Sequence, residues 1–265
     1  FQGPIADWQC ADQAALRAAV PENRLRSYDV RPVIETLADT GSVLEIRRDF
    51  GRGIVTAFAR IEGRPIGIVA NNPQHLAGAI DADAADKAAR FMQLCDAFDI
   101  PLLALVDTPG FMVGPAAERR ALVRHTARMF VTCASLTVPF FVVVLRKGYG
   151  LGAMAIGGGA FQGSSIFAVS WPTGEFGAMG LEGAVQLAYR NELAAIADPQ
   201  AREARYQQLV AQLYEHGKAV NIAPFNAFDD VIDPADTRRW LSRGLRCAPP
   251  PLPRSGKKRP LVEPW

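Results

Sequence analysis

The sequence predicts an α/β fold with a parallel sheet at its core. Two continuous apolar runs, IPLLALVD at 100–107 and VPFFVVVLR at 138–146, are typical of strands that are buried on both faces. SSIFAVSW at 164–171 suits a third such strand, and amphipathic sequence that favours a helix fills 115–136 between the first two. Because strands alternate with helices, the connections should be right-handed crossovers and the three strands should lie parallel.

The residues before these strands predict a lead-in, a short helix and a hairpin instead of parallel crossovers. Residues 5–27 are polar and mixed, which favours an extended lead-in. A short helix is expected within 27–42, with Pro32 in its first turn. Strand-like runs follow at 43–48, 53–62 and 64–72. The last two of these runs should pair as a hairpin that turns at Gly63.

Helices dominate the remaining predictions. The segment 82–98 has apolar residues at helical spacing, namely Ala88, Phe91, Met92, Cys95 and Phe98. Three carboxylates near its start are expected to cap or solvate the helix N-terminus: Asp81, Asp83 and Asp86. Residues 184–219 are expected to be largely helical, and 228–245 to form a short strand followed by a helix. The tail at 246–265 is rich in Pro and Lys and should be irregular surface chain.

Composition narrows the classes of function. The chain has 265 residues, 49% of them hydrophobic, which is enough for one large α/β domain. Its 29 basic and 27 acidic residues give a net charge of +2, so no nucleic-acid partner is expected. The apolar runs are far shorter than the ~18 residues of a membrane span. The four cysteines are scattered and lack CxxC spacing, so neither a zinc site nor a disulfide framework is expected. A reducing cytoplasm is the simplest compartment for such a chain.

The most informative stretch is RKGYGLGAMAIGGG at 146–159, which contains six glycines in fourteen residues directly after a predicted buried strand. Glycine costs backbone entropy, so such a loop usually lets the backbone approach another group closely. A helix that begins near residue 151 would present unpaired N–H groups and the positive end of its dipole. The stretch therefore predicts an anion or oxyanion site made of backbone donors.

Two nucleotide-binding motifs are matched only in part. LVDTPGFMVG at 105–114 contains a DxxG turn like that of GTPases, but the sequence has no GxxxxGK[ST] phosphate loop. The glycines at 148 and 150 with Ala153 fit a dinucleotide fingerprint loosely, yet no acidic residue ends the next strand. Residues 109–114 nevertheless follow the carboxyl end of a parallel strand, where ligands bind in open α/β sheets.

Side chains for other kinds of catalysis are scarce. His125 has the spacing of a packed or interface residue, and His216 has the position of a helix-end cap. No GxSxG elbow is present, and no His, Cys or acid cluster has metal-ligand spacing, so no metal is expected. A site rich in backbone donors and poor in acids and bases suits a reaction that stabilises an enolate. The substrate or a cofactor would then supply the base.

The order of strand, GYGLGA, helix, strand and WPTGEFGAMGLEG resembles the crotonase superfamily, in which GYALGGG forms an oxyanion hole. More specifically, the chain is similar to the C-terminal half of the carboxyltransferase (β) subunit of biotin-dependent acyl-CoA carboxylases of the acetyl- or propionyl-CoA type. The resemblance spans 28–245, between a lead-in or linker at 1–27 and the tail at 246–265. The stretches that carry it are 68–98, 105–114, 138–154, 169–185 and 229–238.

This resemblance implies a crotonase-like (ClpP/crotonase) fold of repeated ββα units around a parallel sheet. It also implies carboxyl transfer, in which a ureido nitrogen of carboxybiotin takes the α-proton of an acyl-CoA and the enolate captures CO2. In the family the N-terminal domain usually holds CoA, and the C-terminal domain, which this chain resembles, holds biotin. The implied partners are that N-terminal domain, the biotin carboxyl carrier, a biotin carboxylase subunit and further copies of the chain in a dimer-built hexamer.

The resemblance assigns site residues by position. The backbone amides of Leu151 and Gly152 would form the oxyanion hole for the ureido oxygen, with Gly150 and Ala153 beside them. The biotin cleft would be lined by Pro109, Gly110, Phe111, Gly114, Gly177, Ala178, Met179 and Gly180. Met154 stands where some relatives have an Asp that affects the choice of acyl chain.

Departures from the family pattern leave alternatives open. Many relatives read KAYGGAYD where this chain reads KGYGLGAM, so the acyl group does not follow from the resemblance. Ile156 replaces the catalytic Glu of superfamily hydratases, which disfavours a hydratase. A biotin-dependent acyl-CoA decarboxylase, another crotonase-fold acyl-CoA enzyme and a domain that only binds the carrier or scaffolds an oligomer remain as alternatives.

Overall fold

In the computed structural model, which describes residues 5, 7–158 and 165–263, eight strands form one sheet. The strands are β1 (Leu44–Ile46), β2 (Ile54–Ile61), β3 (Arg64–Asn71), β4 (Leu102–Thr108), β5 (Phe140–Tyr149), β6 (Phe167–Ser170), β7 (Glu175–Gly177) and β8 (Asp230–Val231). The sheet order is β1-β2-β3-β4-β5-β6-β8, and β7 pairs with the far end of β5. The first three strands are antiparallel and the rest are parallel, so the α/β class with a parallel core is confirmed.

Ten α-helices connect or cover these strands in the described part of the chain. They are α1 (Arg31–Leu37), α2 (Ala82–Ala97), α3 (Pro115–Arg119), α4 (Leu122–Ala134), α5 (Gly150–Ile156), α6 (Leu181–Ala188), α7 (Arg190–Ala195), α8 (Pro199–Gly217), α9 (Ala219–Ile222) and α10 (Thr237–Cys247). Short 3-10 turns lie at Gln13–Ala18, Leu76–Gly78, Ala223–Phe225 and Pro234–Asp236. None of these described helices is long and apolar enough to cross a membrane.

Each central strand contributes to two cores, one on each face of the sheet. In β4, Leu102, Ala104 and Val106 pack with α2, α4 and α5, while Leu103 and Leu105 pack with α1 and α10. The same alternation runs along β5. Burial of a large aliphatic side chain contributes about 1.5–3 kcal/mol, so a strand without an exposed face is strongly fixed in place. The prediction of doubly buried strands from the continuous apolar runs is therefore confirmed.

The predicted hairpin is also present. Ile61 of β2 pairs with Arg64 of β3, which leaves Glu62 and Gly63 as a two-residue turn. Both turn residues have positive φ, 50° and 75°, as in the turns that match the twist of antiparallel strands. Gly63 adopts this conformation without the steric cost that a Cβ brings.

Three predicted elements differ from the structure. The helix expected over 115–136 is two helices, because Ala121 adopts a left-handed conformation with φ 52° between α3 and α4. The third strand covers only β6, and its predicted start at Ser164 lies outside the described residues, as does Gly159 of the glycine stretch. β5 continues through Tyr149, where a loop was expected, because β7, which the sequence did not reveal, pairs with this extension.

The lead-in is folded rather than extended. Residues Gln13–Ala18 form a 3-10 helix, and Leu16 and Val20 are buried in the core beside α1. The lead-in is also tied to the far end of the chain, since Arg17 pairs with Asp233 at 2.7 Å. Residues 1–4 and 6 lie outside the described residues.

The tail is irregular, as predicted, but it is held on the surface by ion pairs. Lys258 and Arg259 contact the Asp96 carboxylate at 3.0 and 2.6 Å. The amide of Glu263 donates to the side chain of Gln93 on α2. Residues 264 and 265 lie outside the described part.

The carboxylates at the start of α2 have three different roles. Asp81 caps the helix, as predicted, by accepting a hydrogen bond from the Ala84 amide at 2.9 Å. Asp83 pairs with Arg120 on the surface. Asp86 was also expected to cap or solvate the helix N-terminus, but it is buried between α2 and α4 and contacts His125 and Arg128 of α4 at 2.7 and 2.5 Å, respectively. His125 is therefore a packed residue held by an ion-pair cluster.

Lys87 of α2 is buried with its Nζ donating to the carbonyl of Ile54 at 2.7 Å. Burial disfavours the charged form and lowers the pKa of Lys87 to about 8, whereas an unfolded chain keeps the ordinary value near 10.5. Between these values the unfolded state binds more protons than the folded state, so this residue makes stability rise with pH.

We expect the unfolding free energy of the chain to gain about 2 kcal/mol between pH 8 and pH 10 relative to a Lys87→Met variant, because the variant lacks this titration. Urea unfolding at a series of pH values measures the difference. Lys257→Met, an exposed control on the tail, should follow the original pH profile. An identical pH profile for Lys87→Met would show that the buried amine does not titrate in this window.

Candidate active site

A buried carboxylate fixes the carboxyl ends of the central strands. Asp107 of β4 is completely buried and accepts hydrogen bonds from Arg146 Nε at 3.1 Å and from the amide of Lys147 at 3.1 Å, both on β5. Its own amide donates to the side chain of Asn71 at the end of β3. The β4–β5 pairing shifts register between Val106 and Thr108, so Asp107 faces the additional residues of β5.

The Arg146 guanidinium is the counter-charge of this carboxylate. Burial is the largest influence and raises the pKa of Asp107, although the nearby Arg146 and the Lys147 amide act in the opposite direction. All of the recorded contacts to its oxygens come from donors, which is the pattern of an ionised carboxylate. Arg146 is itself anchored by the carbonyl of Arg26 at 2.8 Å and lies 5.0 Å from the centre of the Tyr28 ring. The lead-in therefore completes the burial of this pair.

The turn after β4 is held by backbone contacts. Gly110 has φ 122°, and its amide donates to the hydroxyl of Thr108 at 3.1 Å. The amide of Ile80 donates to the carbonyl of Gly110 at 3.0 Å, and the amide of Met112 donates to the carbonyl of Ile80 at 3.0 Å. Residues 109–112 are therefore fixed by the chain segment that precedes α2.

The start of α5 lies against this turn with no room for a side chain. A Cβ built on Gly152 would stand 2.7 Å from the Cα of Gly110 and 3.0 Å from the amide nitrogen of Phe111. Gly150 has φ 56°, and a Cβ there would stand 2.5 Å from the carbonyl oxygen of Ala178. The turn after β4, the start of α5 and the segment after β7 thus meet backbone to backbone.

Most of the predicted biotin-side residues belong to this junction. The structure brings together the backbone around Gly110 and Phe111, the first residues of α5 and the segment 177–180. Gly114 lies apart as the residue before α3, and a Cβ built on it would meet no atom within 4 Å. Met154 is half-buried in α5, and Ile156 is fully buried in the core.

Backbone donors, rather than side chains, are the functional groups that this junction offers. The residue before α5, Tyr149, makes no capping hydrogen bond with its side chain. The first amides of a helix have no partner within the helix, which makes those of Leu151 and Gly152 the candidate donors of this junction. The side chain of Leu151 is 61% exposed and that of Met179 is 41% exposed, which leaves an apolar rim beside these donors. The arrangement can hold the oxygen of a planar, partly apolar ligand.

Ionisable residues lie directly behind the junction, and sequence reasoning missed them. Glu175 of β7 is buried, and Arg24 from the lead-in contacts its carboxylate at 2.9 Å. Lys147 of β5 is paired in register with Glu175, and burial lowers the pKa of its amine. Burial also raises the pKa of the Tyr149 phenol. The signal was a glutamate inside the WPTGEFG motif, a charged residue in a segment that is otherwise apolar.

A cavity of about 320 Å³ lies elsewhere, on α10, and is not part of this junction. It is lined in part by four arginines: Arg238, Arg239, Arg243 and Arg246. Three of them are neutralised by the carboxylates of Asp39, Asp236 and Glu62. Among the residues that the structure describes, no group of His, Cys, Asp or Glu is arranged to hold a metal ion.

Comparison with known proteins supports a single family. The profile of the carboxyl transferase domain matches residues 2–249. The methylmalonyl-CoA carboxyltransferase 12S subunit of Propionibacterium freudenreichii subsp. shermanii is 42% identical over 235 residues, which are 87% of this chain and 43% of that subunit. The chain thus spans about half the length of the curated relatives it matches.

Solved structures support the same family. A single-chain, multi-domain long-chain acyl-CoA carboxylase has a TM-score of 0.82 and 54% identity, covering 89% of this chain and 23% of that one. The transcarboxylase 12S crystal structure with methylmalonyl-CoA and methylmalonic acid bound has a TM-score of 0.82 and 36% identity, covering 98% of this chain and 50% of that one. These similarities confirm the crotonase-like fold.

We expect Asp107→Asn to lower the unfolding free energy by about 3–5 kcal/mol, because it leaves the buried Arg146 charge without its counter-charge. Urea unfolding measures the loss, and adding Arg146→Met should recover part of it by removing the unpaired charge. Glu192→Gln, which opens a half-exposed pair with Arg205, should cost no more than about 1 kcal/mol. Equal losses for Asp107→Asn and Glu192→Gln would contradict the structural role of the buried pair.

We also expect Gly152→Ala to lower the unfolding free energy by about 1–3 kcal/mol, since the new methyl group would overlap the backbone of Gly110. Gly183→Ala in α6 is the matched control, because its methyl group would make only ordinary contact with Met179 and alanine favours a helix. Thermal and urea unfolding should therefore separate the two variants. A Gly152→Ala protein as stable as the Gly183→Ala protein would show that the two turns do not approach as closely as described.

Proposed function

This chain belongs to the carboxyl transferase family, and we propose that it forms the biotin-side half of a biotin-dependent acyl-CoA carboxyl transferase. The observation that carries the proposal is the backbone junction at Gly110, Gly150 and Gly152. It supplies amide donors at the start of a helix, beside an apolar rim, and it excludes side chains from the space between the turns. These properties fit a ureido ring, whose oxygen needs donors and whose flat faces need apolar contact.

The residues of this chain would act by positioning rather than by proton transfer. The amides of Leu151 and Gly152 would bind the ureido oxygen and stabilise the negative charge that develops on it. The segments 109–111 and 177–180 would hold the ring between them. Bound carboxybiotin would supply the carboxyl group and the base that takes the α-proton of the acyl-CoA. No acid or base from the junction itself is needed, which agrees with the composition of the site.

Two alternative acyl-CoA substrates are proposed. A short acyl-CoA, acetyl-CoA or propionyl-CoA, is supported by the 42% identity with a methylmalonyl-CoA carboxyltransferase subunit. A long-chain acyl-CoA is the second candidate, and the 54% identity with a long-chain acyl-CoA carboxylase favours it. Met154, half-buried in α5, is the residue of this chain proposed to affect the choice.

The proposed reaction needs partners. An N-terminal carboxyl transferase domain would hold CoA, a carrier protein would present the biotin, and a biotin carboxylase would charge it. Assembly with further copies of the chain is proposed, since a relative's structure is described as showing hexamer assembly and substrate binding to a multienzyme core. The cytoplasm is the proposed compartment. The reverse use of the same site, decarboxylation of an acyl-CoA, remains the alternative within this chemistry. A hydratase is not favoured, because the buried Ile156 offers no carboxylate.

We expect the chain, combined with a carboxyl transferase N-terminal half, to transfer the carboxyl group of carboxyacyl-CoA substrates to biocytin. Malonyl-CoA, methylmalonyl-CoA and long-chain carboxyacyl-CoA should be compared, and the substrate with the highest kcat/KM identifies the acyl group. Gly152→Ala should lower this transfer by about 100-fold or more, because the donors move away from the ureido oxygen. Gly183→Ala is the control that should retain the rate. A folded, combined protein without any biocytin-dependent transfer would contradict the proposed function.

A further inference from the structure

One arginine of the lead-in contacts three elements that surround the candidate site. Arg24 Nε lies 2.9 Å from the Glu175 carboxylate of β7, and its NH1 lies 3.1 Å from the Glu182 carboxylate of α6. Its NH2 lies 3.4 Å from the hydroxyl of Tyr149, the residue before α5. The guanidinium also lies 5.1 Å from the centre of the Tyr214 ring of α8.

These contacts enclose the segment 177–180 from both sides. Glu175 begins β7, two residues before Gly177, and Glu182 lies in the first turn of α6, two residues after Gly180. The third contact, Tyr149, is paired in register with Gly177 and is followed by Gly150, which lies against the carbonyl of Ala178. A single guanidinium therefore links both ends of the segment to the start of the helix that carries the proposed donors.

Electrostatics make this contact necessary for the local structure. The Glu175 side chain is only 2% exposed, so its charge requires a partner within the protein. Arg24 is that partner at one carboxylate oxygen, and the other oxygen, Oε1, has no hydrogen-bond partner in the structure. Without the guanidinium, the buried carboxylate would have to move toward water or toward the amine of Lys147, which is paired in register with Glu175. Such a movement would displace β7 and with it the segment 177–180.

The chemistry of the contact is specific to arginine. The planar fork of guanidinium donors reaches two carboxylates and one hydroxyl in a fixed arrangement, while one face lies over an aromatic ring. A lysine amine is a point charge on a flexible stem, and it can hold one carboxylate without fixing the second.

We propose that Arg24 is a positioning residue for the biotin side of the site, because it holds the segment 177–180 against the start of α5. This inference rests on the proposed function for its catalytic consequence. Its structural part, the ordering of the two segments, stands on the contacts of Arg24 alone. The lead-in would thereby be a component of the site rather than a linker to it.

The kinetic test uses the chain combined with a carboxyl transferase N-terminal half. Arg24→Met should raise the KM for biocytin about 10- to 100-fold, because a misplaced segment binds the ring poorly. The KM for the acyl-CoA should stay within twofold, since that substrate is held by the other half. Arg24→Lys should give an intermediate KM. Glu182→Gln should give a smaller rise, because it keeps the buried pair and loosens only the α6 end.

Arg17→Met is the matched control. Arg17 lies on the same lead-in and also forms an ion pair, with Asp233, but it contacts none of the elements at the site. It should leave both KM values within twofold of the original. A uniform loss of activity toward both substrates in Arg24→Met would overturn the proposal and leave Arg24 with a general role in stability.

Amide hydrogen exchange of the same proteins separates this inference from the proposed function. Arg24→Met should speed exchange in 149–153 and 177–182 about 10-fold or more, with little change in β4, and Arg17→Met should not. Unchanged exchange in these two segments would overturn the inference, whatever the kinetics. If the original protein shows no biocytin-dependent transfer, the proposed function fails, and the exchange result still decides whether Arg24 orders the segments. If Arg24→Met does not fold, Glu182→Gln tests the inference instead, because it alters a half-exposed residue. This variant should speed amide exchange in 177–182 alone. Unchanged exchange in that segment would overturn the inference.

Discussion

The buried pair of Asp107 and Arg146 is the constraint on which the site depends. A carboxylate can be kept charged inside a protein only if donors surround it, and here the donors come from neighbouring strands. Arg146 and the amide of Lys147 approach from β5, while Asn71 of β3 receives the amide of Asp107. The ends of three strands are therefore aligned at one level. The turn that follows β4 and the helix that follows β5 begin side by side for this reason.

The glycines then decide what kind of site forms at this level. Where the turn at Gly110 meets the start of α5 at Gly152, atoms of the two backbones are so close that a methyl group would overlap them. Side chains are excluded from such a junction, and the polar groups that remain are amides and carbonyls. A rigid sheet with two cores holds these groups in place without reorganisation, which is what stabilisation of a developing negative charge requires. The functional groups that this junction offers thus follow from close packing rather than from reactive side chains.

The lead-in illustrates a limit of sequence reasoning. Its residues are mostly polar, and its 3-10 helix is too short to give a periodic pattern, so an extended segment was the natural prediction. In the structure, Leu16 and Val20 complete the core beside α1, and Arg24 reaches a carboxylate that lies 151 positions further along the chain. No local pattern can indicate such a contact, because the partners share no element. The same holds for Asp86, which looks like a helix-cap residue until α4 is placed beside α2.

The sequence by itself determined every strand except β7, most of the helices, the hairpin at Gly63 and the glycine-rich start of α5. Each of these is specified by neighbouring residues, through continuous or periodic hydrophobicity and through the backbone freedom of glycine. Only the tertiary structure decided the break at Ala121, the strand β7 and the cluster of Arg24, Glu175 and Glu182. These features depend on contacts between distant segments, whose energies exceed the weak local preferences of the residues involved. The glycine-rich start of α5 could therefore be predicted from the sequence, while the ion-pair cluster of Arg24, Glu175 and Glu182 could not.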